Sequence, residues 1–100
     1  AAIHAPADAT HDFIHDLAAG DEAAAATHSA MSDADLKTAE AIIKAKGDFM
    51  DTTFNVINMN EGGSGHVEGT ASMSKGLLHV KAELDETGGK WRVTSIELLP

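Results

Sequence analysis

Three observations predict an α+β fold, with two or three N-terminal helices packed on a four-stranded antiparallel β-meander. Apolar residues recur at helical spacing up to about residue 46 and alternate from about residue 49 onward. Glycine-rich turn signals divide the second half into segments of strand length. Closing those turns as hairpins brings the apolar positions of successive strands onto one face. One hundred residues suit a single domain, with helices over about 8–46 and the sheet over about 49–99.

The first helix begins near Pro6, which fits a first turn, with Asp8 or Thr10 as its cap. Phe13, Ile14, Leu17 and Ala18 make one apolar stripe, and Asp8, His11, Asp12, His15 and Asp16 occupy the wet side. Gly20 stops this helix. Asp21 caps a short alanine-rich second one reaching to about Ala30. Ser32 caps a third, with Leu36, Ala39, Ile42 and Ile43 as its buried stripe and Gly47 as its stop.

Phe54, Val56 and Asn58 alternate along one face of the first strand, before a turn at Glu61–Gly65. Val67, Gly69, Ala71 and Met73 alternate in the second strand, and Leu78, Val80, Ala82 and Leu84 in the third. Trp91 and Val93 open a fourth strand that runs to about Leu99. A two-residue turn at Lys75-Gly76 predicts Met73 opposite Leu78 and Ala71 opposite Val80. The flanking hairpins predict Phe54 opposite Met73, Leu84 opposite Trp91 and Glu83 opposite Arg92, with Glu68 on the far side of Glu83. Ser95 and Glu97 then point inward, so a bulge near Thr94-Ser95 is expected, returning Ile96 and Leu98 to the core.

Sixteen acidic against seven basic residues give a formal charge of −9, which excludes a nucleic-acid partner that needs clustered Lys or Arg. The absence of cysteine excludes disulfides, thiolate metal sites and a thiol nucleophile. No run is long and apolar enough for a transmembrane helix. Beginning at Ala1, the chain reads as a processed or trimmed product, and a periplasmic or secreted protein is expected ahead of a cytoplasmic one.

Phe13-Ile14-His15-Asp16-Leu17-Ala18-Ala19-Gly20-Asp21, followed by a small-residue helix, resembles the opening of many NTF2-like domains. Gly89-Lys90-Trp91-Arg92-Val93 resembles the start of their last strand. The order of helices and meander is similar to that of the NTF2-like and cystatin-like folds. This resemblance implies a concave pocket between sheet and helices. It spans isomerase-like enzymes, cyclases and small exported domains, so it implies no single activity.

On these grounds the ligand pocket is expected to be lined by Phe13, Leu17, Phe54, Val56, Met73, Val80 and Trp91. Asn58 is the polar side chain expected on the concave face, and Asp51 shares its parity at the strand entrance; these two are the catalytic candidates. Asp8, His11 and His15 lie within one or two helical turns and are the metal-ligand candidates, with a solvated helix face as the alternative. Glu68, His79, Lys81, Glu83 and Arg92 form an expected charge ladder on the outer sheet face. Ile57, Leu77, His79 and Leu99 mark a homodimer surface there. Gly62-Gly63-Ser64-Gly65 leads into a strand, not a helix, and is a hairpin loop instead of a phosphate cradle. No cofactor is expected. The expected function is a small non-catalytic binding or protein-interaction domain, the alternative being a small NTF2-like enzyme acting on an apolar ligand in the pocket.

Overall fold

A computed structural model describes residues 4–100. Three helices, α1 (Ala5–Ala18), α2 (Glu22–Ala26) and α3 (Asp33–Ala45), precede four strands, β1 (Phe49–Met59), β2 (Ser64–Met73), β3 (Gly76–Thr87) and β4 (Lys90–Leu99). The strands pair antiparallel in the order β1-β2-β3-β4, an uninterrupted meander. Phe13, Ile14 and Leu17 of α1 and Ile43 of α3 are fully buried with Val67, Leu78, Val80, Leu84 and Val93 from the inner face of the sheet.

Local chemistry explains the helix ends. Gly20 N–H donates to Leu17 O and Asp21 N–H to Asp16 O, a paired closure of the last turn of α1 with Gly20 at positive φ. Asp21 accepts from Ala24 N–H and Ser32 from Asp35 N–H, so both expected caps form. Thr10 does not cap α1. The helix begins one turn earlier, and the buried Thr10 hydroxyl donates to Pro6 O at 2.8 Å. The second helix is also shorter than expected, ending at Ala26. The freed segment crosses to the edge of β4, where Val93 N–H donates to His28 O and Ala30 N–H to Val93 O, each at 2.8 Å.

The sheet register differs from the expected one in an instructive way. Met73 faces Gly76, Ala71 faces Leu78 and Gly69 faces Val80 across β2 and β3, because the two-residue turn is Ser74-Lys75. The offset of two leaves every side chain on its expected face. At the β3–β4 turn, Gly88 and Gly89 both adopt positive φ, the conformation a two-residue hairpin favours. Leu84 therefore faces Val93, and Arg92 faces Asp85 instead of Glu83. The expected bulge is present at Thr94, where the register shifts, so Ile96 and Leu98 turn inward.

Strand β1 overturns a prediction. A bulge at Asn55 separates Phe54, which pairs with Gly69, from Val56, which pairs with Glu68. Val56 and Asn58 are thereby turned onto the outer face, and Ile57, expected outside, packs against the core opposite Val67. Gly69 makes the bend feasible. A Cβ there would collide with the Thr53 carbonyl oxygen and the Phe54 backbone, so only glycine lets β1 cross so closely.

Candidate functional site

The interior is filled. Phe13, Leu17, Met73 and Val80 are buried in one apolar cluster, with Phe54 and Trp91 partly buried against it. Four of the expected pocket residues are thus core residues, and Val56 lies on the opposite face. Among the described residues the only buried polar side chains are Thr10 and Ser29; Ser29 Oγ accepts from Met31 N–H at 2.9 Å. Among the described residues no acid, base or imidazole is fully buried between helices and sheet, and half-buried His11 of α1 meets Thr52 of the inner face of β1.

Asn58 is exposed and stands beside His66 on the outer face. Asp51 is exposed, and its carboxylate accepts the neighbouring Thr52 N–H at 2.8 Å. His11 and His15 both stand edge-on to Phe49, with ring centroids 5.2 and 5.5 Å away. His11 Nδ1 lies 2.6 Å from Thr52 Oγ1 and His15 Nδ1 lies 3.2 Å from an Asp16 oxygen. The two rings are thus engaged with different partners, and Asp8 is exposed in the first turn of α1. Among the described residues no three His, Asp or Glu side chains are arranged to hold a metal ion.

The chemistry-bearing side chains gather on the outer face. Register places Thr53, Thr70, His79 and Leu99 in one cross-strand row. Val56, Glu68, Lys81 and Glu97 form the next row, and Asn58, His66, Glu83 and Ser95 the one beyond. An open groove of about 430 Å³ runs over this face, lined among others by Thr53, Asn55, Glu68, Thr70, His79 and Lys81. His66 is clamped in its row: Nε2 lies 2.6 Å from a Glu68 oxygen and Nδ1 lies 2.7 Å from a Glu83 oxygen. The hydrogen bonds to Glu68 and then Glu83 raise the His66 pKa above the ordinary imidazole value against a smaller opposing desolvation. The bond from His66 correspondingly lowers Glu68, aided by the nearby charge of Lys81. Glu68 and Glu83 were legible as outer-face residues. His66 was not, because its partnership with Glu83 depends on the two-residue offset in the β2–β3 register.

The architecture has close structural counterparts. A proposed NTF2-like transpeptidase from Campylobacter jejuni superposes with a TM-score of 0.71 at 20% identity, over 90% of this chain and 97% of its own. An NTF2-like protein of unknown function from Shewanella oneidensis gives 0.68 at 11% identity, over 94% and 95% of the two chains. This chain has the NTF2-like fold. A DUF4783-family protein from Bacteroides ovatus is similar at a TM-score of 0.60 and 15% identity, over 87% of this chain and 90% of its own. No protein-family model and no curated protein matches the sequence. At such identities the likeness extends to the fold alone. The outer sheet face of this NTF2-like domain thus carries a band of polar and ionisable side chains, and the fully buried core is apolar apart from Thr10 and Ser29.

Proposed function

We propose that this NTF2-like domain is a non-catalytic binding and protein-interaction module, and that two copies meet through their outer sheet faces. The observation that carries this reading is the apolar, filled interior, in which the two buried hydroxyls are committed to backbone hydrogen bonds. An enzyme of this architecture needs a positioned acid or base in contact with its ligand. A transpeptidase needs a nucleophile; the chain has no cysteine, and the fully buried hydroxyls of Thr10 and Ser29 are so committed.

Electrostatics and exposed apolar surface support the choice of face. Residues 1–48 carry nine acidic and three basic side chains, residues 49–100 seven and four. Two copies approaching by their helical surfaces therefore repel more strongly than two approaching by their sheets. On the outer face Lys81, Arg92, His66 and His79 offset Glu68, Glu83, Asp85 and Glu97. Leu77 and Leu99 are 50% and 51% exposed there, beside His79. Four strands about 4.8 Å apart offer roughly 600 Å², somewhat under the ~800 Å² per partner of a standard interface. The expected dimer is accordingly weak and concentration-dependent. Sedimentation equilibrium tests it: the mass should rise from 10.4 kDa toward twice that value with concentration, and Leu77→Asp with Leu99→Asp should restore the monomer. A wild-type monomer at millimolar concentration rules out the dimer.

A further inference from the structure

Strand β4 is an edge of the sheet, and its edge is only partly covered. The segment after α2 runs parallel to it and pairs with Val93 alone. Beyond the Thr94 bulge, Ser95–Leu99 has no further backbone partner on that side among the described residues. Alternate residues of an edge strand present N–H and C=O outward, a template for another strand. Helix α3 overhangs this stretch. Between them lies an open groove of about 250 Å³, lined by the apolar Met31, Ala39, Ile42, Ile96 and Leu98 and by three polar residues, Asp35 among them. Ile42 is 36% exposed at its rim.

We propose that this edge and groove form a docking site for an extended, basic–apolar peptide segment of a partner protein, added to the sheet as a fifth strand beside Ser95–Leu99. The chemistry of the occupant follows from the alternation of β4. Residues of an added strand that face inward would lie beside Ile96 and Leu98 and fill the groove under Ile42, which calls for aliphatic side chains. Residues facing outward would lie beside Ser95 and the Glu97 carboxylate. Lysine or arginine at those positions matches the local acidity and the overall charge of −9. Backbone pairing supplies the affinity, and the alternation supplies the specificity. The edge adjoins the outer face at Glu97 and Leu99, but sedimentation of the chain alone tests only the dimer, so that result can fail without bearing on the peptide site.

The test is an NMR titration with an acetylated, amidated heptapeptide alternating lysine with isoleucine. Two controls accompany it: the same peptide N-methylated at alternate residues, and one of equal composition with its isoleucines in a block. Saturable shifts at Ser95–Leu99, Ala39 and Ile42 are expected. Affinity should fall about tenfold or more for Ile42→Asp, as for loss of an interface anchor, and comparably for both control peptides. Equal binding of the three peptides would show bulk charge attraction and overturn the proposal. So would shifts centred on His79 and Lys81, or no saturable shift at all.

Discussion

His66 is held by carboxylates at both ring nitrogens, and only the imidazolium can donate to both at once. Its folded pKa is raised, so its contribution to stability is complete below the unfolded value of about 6.5 and is lost as pH rises through the folded value. For Glu68 the folded value is depressed; its contribution is present above the unfolded value of about 4.3 and is lost as pH falls through the folded one. The clamp therefore operates between the two folded values. His66→Ala should lower the thermal midpoint at pH 6 and leave it nearly unchanged at pH 9, and equal loss at both pH values would contradict the clamp. Gly69 gives a second test at this scale. Gly69→Ala drives a methyl group into the Thr53 carbonyl and should cost about 2 kcal/mol. An unaltered urea midpoint would show that β1 does not cross where described.

Among the elements, the faces of β4 were legible and those of β1 were not, and the difference is physical. In β4 a polar pair, Ser95 and Glu97, breaks an apolar alternation, and only an extra residue at Thr94 restores Ile96 and Leu98 to the core. Deleting Thr94 should accordingly rotate those side chains out and abolish cooperative unfolding, measured by denaturant titration. A fully cooperative transition of unchanged midpoint would place the bulge elsewhere. In β1 the run Phe54, Val56, Asn58 alternates evenly, so the Asn55 bulge leaves no mark in the pattern. Its cause lies across the ladder in Gly69, where the missing side chain permits the close crossing. The two-residue offset at Ser74-Lys75 was equally invisible, because such a slip preserves every face while exchanging every partner. Helix caps, by contrast, are local, and Asp21 and Ser32 act as the sequence suggests. Ser32→Ala should destabilise by about 1 kcal/mol, observable as a lowered urea midpoint.

Charge and polarity are segregated across the whole molecule. The helical half carries most of the net negative charge, the core holds no fully buried ionisable group among the described residues, and the outer sheet face combines acids, cations and two histidines. Protonating His66, whose folded pKa is raised, adds positive charge to a face with excess carboxylate, so outer-face association should strengthen as pH falls through that value. The candidate site was thus only partly legible. The charge ladder could be read from strand parity, but the expected pocket could not survive close packing, because Phe13, Leu17, Met73 and Val80 fill the space they were expected to line. The central claim is that recognition takes place outside a closed apolar interior. Its most direct test is a methyl-resolved NMR titration with a steroid-sized apolar ligand. The account predicts no saturable shift at the Leu17, Met73 or Val80 methyl groups; one-to-one saturable shifts at those methyls would show a ligand cavity in the interior and contradict it.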